Sequence, residues 1–153
     1  MNQGMYYESL LDMRNYVPVE SLRQQYLTLL SHLTYTPDVP LEQFQAALDQ
    51  IETHGDIHVA YTAEPHGWVL HGAVTILYET KLIHGCKQVG HIEDLVVLPE
   101  SRERGVASTL LDRVRTQAKK TCYKIILDCK DEYVPFYEHR NFERKGNQMA
   151  YYF

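Results

Sequence analysis

The chain has 153 residues, of which 44% are hydrophobic and 23% charged, and its formal net charge is −5. This length predicts a single domain spanning 1–153 that buries about two-thirds of its surface on folding. The negative charge argues against nucleic acid as the main partner, because binding to phosphate backbones needs a concentrated basic surface. No run of about 18 apolar residues is present, so no membrane-spanning helix and no membrane partner are expected.

The cysteine pattern bears on the compartment and on metal chemistry. Cys86, Cys122 and Cys129 are odd in number and form no Cys-x-x-Cys pair, which disfavours both a disulfide framework and a zinc site. No other metal site is expected. The first residues lack a basic segment followed by an apolar core, so no secretion signal is visible. We therefore expect reduced thiols and a cytoplasmic location.

The first half of the chain predicts helices followed by a β-hairpin. Apolar residues recur at helical spacing after Pro18 and again after Leu41, and β-branched residues then alternate with polar ones around a turn. In chain order we expect a candidate edge strand within the ambiguous stretch 5–13, a helix from 18 to about 31, a loop at 34–40, a helix from 41 to a stop at Gly55, and strands 57–63 and 68–80.

The segment from 91 to 119 is the most informative part of the sequence. An apolar run from Ile92 to Leu98 predicts a buried strand, and Pro99 ends it because proline cannot donate to a sheet ladder. Apolar residues at spacings of three and four then predict a helix that extends to Lys119. Gly105 lies where this helix begins.

A glycine at this position suits an anion. The N–H groups of a first helical turn lack partners, and the helix dipole adds partial positive charge there. Glycine allows close approach of a large anion, so the site suits a diphosphate. The spacing Arg102-x-x-Gly105-x-Ala107 is neither a Walker loop nor a dinucleotide fingerprint, because it lacks Gly-Lys-Ser/Thr and has one glycine. An ordinary strand-to-helix turn is the alternative.

The remaining residues complete the predicted fold. We expect a second buried strand at 123–129, a short helix at 132–140 and an edge hairpin at 142–153. The order of elements is therefore helices, a β-meander and then β-α-β-α-β. This order predicts class α+β, with a mixed, mostly antiparallel sheet and helices on both faces.

Five short segments carry a family resemblance. They are Lys81–His84, Gly90–Leu95, Arg102-x-x-Gly105-x-Ala107, Cys122–Cys129 and Phe136–Glu138. From 79 to 149 the sequence resembles the eukaryotic-type glucosamine 6-phosphate N-acetyltransferases of the GNAT superfamily, and the octet 122–129 is the most specific match. The resemblance implies the GNAT fold, acetyl-CoA as co-substrate without a metal, and acetylation of the 2-amino group of glucosamine 6-phosphate for UDP-N-acetylglucosamine synthesis.

The resemblance also implies which residues form the site. On the acetyl-CoA side these would be Leu95, Val96 and Val97 at the pantetheine arm, Arg102, Glu103, Arg104, Gly105, Val106, Ala107 and Ser108 at the diphosphate, and Asp128 and Tyr137 near the thioester. On the acceptor side they would be Ser31, Lys81, His84, Glu93, Asp94, Tyr123, Lys124 and Tyr152.

The same resemblance implies two larger features. The strands at 92–98 and 123–129 would diverge so that the pantetheine arm enters between them. A homodimer would complete the acceptor site through the C-terminal strand, where Tyr152 replaces a basic residue that contacts the sugar phosphate. This replacement puts the 6-phosphate in question, and Arg144 or Lys145 could compensate.

The expected chemistry is direct attack of a neutral amine on a thioester, with much of the rate arising from positioning. Glu93, Asp94 or backbone carbonyls acting through water are candidate bases. An N–H near Leu95 would stabilise the oxyanion, and Tyr137 would protonate the departing thiolate or donate a hydrogen bond to it.

Simpler roles remain open for several of these residues. Glu93 and Asp94 are neighbours on a strand and should face opposite sides, so that one of them is merely solvated. Asp128 in an apolar strand would be costly unless paired, and Lys124 suits a surface position equally well. Two further hypotheses for the whole chain are acetyl transfer to another small amine or peptide amine, and a non-catalytic acyl-CoA-binding module.

Overall fold

A five-stranded sheet forms the centre of the protein in the computed structural model, which describes residues 4–153. The strands lie in sequence order, with antiparallel pairing throughout except between the last two, which are parallel. They are β1 (Tyr6–Ser9), β2 (Gly55–Glu64), β3 (Gly67–Thr80), β4 (Gln88–Val97) and β5 (Cys122–Ile126). This arrangement confirms the predicted α+β class and its mostly antiparallel sheet.

Helices cover both faces of the sheet, as predicted. The helices are α1 (Leu10–Met13), α2 (Val19–Leu30), α3 (Leu41–Glu52), α4 (Val106–Ala118) and α5 (Val134–Glu138), with short 3₁₀ turns at 84–86, 99–101 and 131–133. The first three pack on one face around Leu22, Phe44 and Val59. The other face packs against α4 around Val74 and Leu110. No helix within residues 4–153 is long and apolar enough to cross a membrane.

The ambiguous stretch at 5–13 contains both a strand and a helical turn. β1 pairs with β2, and Ser9 then begins α1 by accepting a hydrogen bond from the N–H of Leu11 at 3.2 Å. The Ser9 hydroxyl also donates to Asp56 Oδ1 at 2.5 Å. A serine cap at this position therefore converts the end of an edge strand into a helix.

The predicted edge hairpin at 142–153 is wrong. This segment contains no strand in the structure, and β5 ends at Ile126 rather than at 129. Residues 143–153 are exposed throughout, so the segment buries no apolar face that would fix a strand register.

The side chain of Gln25 closes a gap beside β3. Its amide donates to the carbonyl of Trp68 at 2.8 Å and accepts from the N–H of Leu70 at 2.9 Å. β3 reaches beyond β4 here, because the pairing of these two strands begins at Gly72. One helical side chain thus satisfies the backbone groups that a strand would otherwise pair.

Candidate active site

Strands β4 and β5 lie side by side over only part of their length. Their pairing runs from Gln88 opposite Cys122 to His91 opposite Ile126 and then stops. From Ile92 to Val97, β4 is paired with β3 alone among the described strands. The pairing therefore ends at the place where the resemblance predicts that the strands diverge, and from Ile92 onward the edge of β4 that faces away from β3 has no partner among the described strands.

A β-bulge accompanies this divergence. Between two regular residue pairs, Val74 of β3 stands opposite both Asp94 and Leu95 of β4. Asp94 adopts a left-handed backbone conformation with a φ of 51°. A bulge bends its strand and increases the local twist. We attribute the separation of β4 from β5 to this extra residue.

The N-terminus of α4 has the properties that a diphosphate requires. Gly105 precedes the helix with a φ of 75°, and no side chain caps it. No hydrogen bond within residues 4–153 uses the first-turn N–H groups at 106–108. Apart from its two chain neighbours, no residue among 4–153 has an atom within 4 Å of the place where a Cβ on Gly105 would stand. Free amides, the helix dipole and open space together fit an anion.

The other predicted diphosphate residues differ in what they can offer. Arg102, Glu103 and Arg104 are exposed, whereas Val106 is 2% exposed and can contribute only its backbone. The Ser108 hydroxyl accepts hydrogen bonds from both Nε and Nη2 of Arg140, the former at 3.0 Å. Ser108 is thus already bonded, and its partner brings a guanidinium to the first turn of α4.

Arg140 was not identified from the sequence. Its Nη1 donates to the carbonyl of Phe136 at 2.9 Å, and its guanidinium lies 3.7 Å from the centre of the Phe136 ring. These contacts join the end of α5 to the start of α4. No spacing rule connects residues 140 and 108, so only the folded structure reveals the pair.

The side chains predicted at the pantetheine arm point into the two cores. Val96 packs on the face covered by α1–α3, and Leu95 and Val97 pack on the face covered by α4. Their side chains are therefore committed to packing, and only their backbone groups are free to contact a ligand. This matches the role that the resemblance implied.

Three carboxylates lie near the gap. Glu93 and Asp94 are both exposed, because the bulge interrupts the alternation that would place them on opposite faces. Asp128 is also exposed and lies beyond the end of β5, so the expected burial of Asp128 within a strand is wrong. Partial burial, Asp94 and Asp128 together raise the pKa of Glu93 above its usual value. A carboxyl with a raised pKa is suited to accept a proton.

Tyr137 lies on α5, between two aromatic rings. Phe136 and Phe142 contact it edge-on, with ring centroids 5.0 and 5.6 Å away. Burial, assisted by Cys129, raises the pKa of Tyr137 to about 12. Its hydroxyl therefore keeps its proton near neutral pH and acts as a hydrogen-bond donor.

On the acceptor side, Lys81 is not a free cation. Its ammonium pairs with Glu79, and Glu79 also contacts His91 Nε2 at 3.0 Å. Hydrogen bonds from Lys81 and His91 lower the pKa of Glu79, so this carboxylate stays charged. Glu79 was also missed from the sequence, although Glu-x-Lys spacing on a strand places both side chains on one face.

His84 and Tyr123 form a stacked pair. Their ring centroids are 4.2 Å apart, and Lys124 Nζ lies 5.6 Å from the centre of the Tyr123 ring. His84, Gly85 and Cys86 all have positive φ angles, of 52°, 68° and 63°. This left-handed turn brings the loop after β3 back onto β5. The structure therefore places His84, Tyr123 and Lys124, three of the predicted acceptor residues, next to one another.

Two predicted acceptor residues lie apart from this group. Ser31 donates to the carbonyl of Thr28 at 2.5 Å and lines a cavity of about 330 Å³ formed by α2 and the following loop. None of the other predicted acceptor residues lines that cavity. Tyr152 is 90% exposed near the end of the chain.

Comparison with known proteins identifies the family. The model of the family described as "Acetyltransferase (GNAT) domain" matches residues 42–151. Glucosamine 6-phosphate N-acetyltransferase 1 of Oryza sativa subsp. japonica is 35% identical over 130 residues, covering 84% of this chain and 79% of the rice protein. The glucosamine 6-phosphate N-acetyltransferase of Trypanosoma brucei brucei is 32% identical over 141 residues, covering 92% of this chain and 95% of that protein. The chain belongs to the GNAT acetyltransferases.

A solved structure supports the same assignment across the whole fold. The crystal structure of glucosamine-6-phosphate N-acetyltransferase from Arabidopsis thaliana matches with a TM-score of 0.84 and 26% sequence identity, covering 99% of each chain. The resemblance to the glucosamine 6-phosphate branch of the GNAT superfamily, stated above from short segments, is therefore confirmed. GNAT acetyltransferases take the acetyl group from acetyl-CoA, and the protein is an acetyl-CoA-dependent N-acetyltransferase.

The start of α4 provides the first testable prediction. Gly105→Ala should weaken CoA binding by about tenfold, because the added methyl group would stand in the open space through which an anion reaches the first-turn amides. Gly146→Ala is the matched control, since Gly146 also has a positive φ of 64° with open space around it. Titration calorimetry with CoA measures both variants. Equal affinity of the two variants for CoA would show that the diphosphate does not bind at the start of α4.

The carboxylates near the gap provide a second prediction. Asp128→Asn removes a negative charge that raises the pKa of Glu93, so that pKa should fall. The base form of Glu93 is lost as the pH falls through its pKa. The acid limb of kcat/KM should therefore move to lower pH in Asp128→Asn.

Two further variants complete this test. Asp131→Asn, an exposed control close along the chain, should leave the limb in place. Glu93→Gln should lower kcat/KM by about 10²-fold above the pKa of Glu93, the lower end for a general base, and should flatten the acid limb. If Asp128→Asn leaves the profile unchanged and Glu93→Gln keeps wild-type activity, Glu93 is not the base.

Proposed function

We propose that the protein transfers the acetyl group of acetyl-CoA to the 2-amino group of glucosamine 6-phosphate, yielding N-acetylglucosamine 6-phosphate and CoA. The observation that carries this proposal is the gap between β4 and β5, with the uncapped start of α4 at Gly105 following β4 in the chain. Relatives that are 32% and 35% identical bear that enzyme name. The product would supply amino-sugar nucleotide synthesis, and the three free cysteines suit the reducing cytoplasm.

Residues of this chain would bind the co-substrate at two places. The free amides at 106–108 and the guanidinium of Arg140 would hold the diphosphate. The unpaired edge of β4 from Ile92 to Val97 would offer backbone hydrogen bonds to the pantetheine arm. Acetyl-CoA supplies the acetyl group as a thioester, which a neutral amine can attack directly.

The proton steps fall to two side chains with raised pKa values. Glu93 would accept the proton that the attacking amine loses, either directly or through water. Tyr137 keeps its hydroxyl proton near neutral pH and would donate a hydrogen bond to the departing thiolate. A free N–H of β4 near Leu95 would stabilise the negative charge on the thioester oxygen.

The acceptor would bind beside the loop that follows β3. The stacked rings of His84 and Tyr123 offer a flat surface, and Lys124 carries an exposed positive charge beside them. Lys124 would pair with the sugar phosphate, since Lys81 is already paired with Glu79.

The pairing of Lys81 with Glu79 favours a second candidate function. Glu79 neutralises Lys81, and Tyr152 carries no charge where the family resemblance places a basic residue. Both features weaken the site for a phosphate. Acetylation of an unphosphorylated amino sugar or another small amine is therefore the alternative.

We also propose that the protein forms a homodimer through its C-terminal segment. The edge of β5 that faces away from β4 has no strand partner within residues 4–153. A cavity of about 760 Å³ lies along it, lined by Ile125, Leu127 and Phe142, by residues 143–148, and by Asp128 and Tyr137 of the candidate active site. Beyond this groove, the side chains of Tyr151 and Phe153 are almost entirely exposed. A second copy would cover these apolar groups and bring Tyr152 to its neighbour's acceptor site.

The acceptor is tested by adding amines to purified protein with acetyl-CoA and measuring the CoA thiol released. Glucosamine 6-phosphate should release thiol with a kcat/KM at least about tenfold above that for glucosamine, because a charge-assisted hydrogen bond contributes about 1.5–3 kcal/mol. Equal rates would favour the second candidate. Binding of CoA without release on a panel of amines would favour the non-catalytic module.

The dimer is tested by sedimentation equilibrium. The wild-type protein should sediment at twice the mass of the chain, and a Tyr151→Ser/Phe153→Ser variant should sediment at the mass of one chain. Tyr35→Ser, which removes an aromatic side chain that is 86% exposed outside the C-terminal segment, should leave the dimer intact. A wild-type protein at monomer mass would contradict the proposal.

A further inference from the structure

His71 connects β3 to the segment that precedes α4. Its Nδ1 lies 2.7 Å from the hydroxyl oxygen of Ser101, and its Nε2 lies 2.7 Å from that of Thr62. Ser101 is completely buried. The carbonyl of His71 also accepts a hydrogen bond from the N–H of Leu98 at 2.8 Å. One residue thus contacts both sides of the turn at 99–101.

The position of His71 arises from an irregularity in the sheet. Ala60 of β2 pairs with Gly72 and Tyr61 pairs with Leu70, so His71 is an extra residue on β3. The next residue, Gly72, lies directly beneath the start of α4, since a Cβ on it would be 2.9 Å from Val106 Cγ1. His71 and Gly72 therefore lie against Ser101 and Val106, the two residues that flank the diphosphate loop, residues 102–105.

The hydrogen bonds around His71 define its protonation. The Thr62 hydroxyl donates to Glu64 Oε1 at 2.9 Å, so the Thr62 oxygen accepts from Nε2–H of His71. Nδ1 then carries no proton and accepts from the Ser101 hydroxyl. This is a continuous chain from Ser101 to Glu64 in which the imidazole is neutral.

We propose that neutral His71 is a positioning residue for acetyl-CoA, which fixes the diphosphate loop by accepting the hydrogen bond of Ser101. The proposal rests on the diphosphate site described above at the start of α4. When His71 becomes protonated, both ring nitrogens are donors, and the Ser101 proton loses its acceptor. No other hydrogen bond of the Ser101 hydroxyl exists within residues 4–153. The Ser101 oxygen would then accept from Nδ1–H, but its buried O–H would have no acceptor, which destabilises this arrangement. CoA affinity should therefore fall on acidification.

Charged groups from the surrounding elements bear on the titration of His71. Arg104 of the diphosphate loop opposes protonation, whereas Glu64 of β2 and Glu100 of the 99–101 turn favour it. Burial is the largest effect, and with Arg104 it lowers the pKa of His71 below its ordinary value. The neutral form therefore prevails at neutral pH, and protonation of His71 requires a lower pH than that of an ordinary histidine.

The experiment measures CoA affinity by calorimetry at about pH 7.5 and about pH 5.5, on either side of the ordinary histidine pKa. His71→Val removes the acceptor and should raise the Kd for CoA by about five- to tenfold at the higher pH, the equivalent of one hydrogen bond. His71→Asn keeps an acceptor at the Nδ1 position but cannot titrate, so it should restore most of the affinity.

The pH dependence separates positioning from simple packing. The Kd of the wild type should rise more on acidification than that of His71→Asn. Because the titration of CoA itself affects both proteins equally, the difference between them reports His71 alone. His66→Asn, an exposed histidine in the turn between β2 and β3, is the matched control and should follow the wild type. In turnover, His71→Val should raise KM for acetyl-CoA while changing kcat and the acceptor KM less than about twofold.

Two further measurements keep the proposal testable if His71→Val does not fold. Ser101→Ala removes the same hydrogen bond from the other side and should raise the Kd similarly. Nitrogen-15 spectra of the free protein should show His71 with its proton on Nε2. Unchanged CoA affinity in Ser101→Ala, equal pH dependence in His71→Asn and wild type, or a proton on Nδ1 would each overturn the proposal. The binding and spectroscopic measurements need no amine substrate, so they remain informative even if glucosamine 6-phosphate is not acetylated.

Discussion

The site depends on the point at which β4 and β5 stop pairing. Had the ladder continued beyond His91 and Ile126, the backbone of β4 would be satisfied by β5 and no ligand could reach it. The bulge at Asp94 and Leu95 prevents this by bending β4, while β3 continues to hold its other edge. The same bulge brings Glu93 and Asp94 to the surface together. One extra residue therefore creates both the opening and its acidic lining.

Several residues with a left-handed backbone lie in the segments that form the candidate site. Asp94 on β4, Glu103 in the diphosphate loop and His84 in the acceptor loop all have positive φ angles, although none is glycine. Each such residue costs of the order of 1–2 kcal/mol. Packing on both sides of the sheet offsets that cost, since completely buried side chains such as Leu22 and Leu110 lie in the two cores. The strained residues occur where the chain leaves regular structure to meet a ligand, as is common at functional sites.

Much of this fold could be predicted from the sequence, because the spacing of apolar residues indicates which face of a helix or strand is buried. The helix after Gly105 and the hairpin of β2 and β3 have strong patterns, and both are present. The C-terminal hairpin is absent because residues 143–153 are exposed and bury no apolar face against the sheet. Asp128 was misplaced for a related reason, since an apolar run continues past the point where β5 loses its partner.

The candidate site was less predictable wherever a side chain's role depends on its contacts. Short segments predicted a diphosphate loop and a role for Tyr137, yet they could not show that Glu79 neutralises Lys81 or that Arg140 binds Ser108. Ion pairs between distant residues follow from packing and have no spacing signature. The bulge at Asp94 was equally hidden, because it depends on how many residues β3 places opposite it.

The charges in the site are divided in a way that suits both reactants. At the start of α4, backbone amides and Arg140 present positive potential, which a diphosphate requires. At the divergence of the strands, Glu93, Asp94 and Asp128 present negative potential, which raises the pKa of Glu93. That potential also attracts an amine in its protonated form, and a carboxyl with a raised pKa can then take the proton that must leave before attack. Because the positive region lies at the start of α4 and the acidic region on β4, the proposed diphosphate and amine would each meet a charge of the opposite sign.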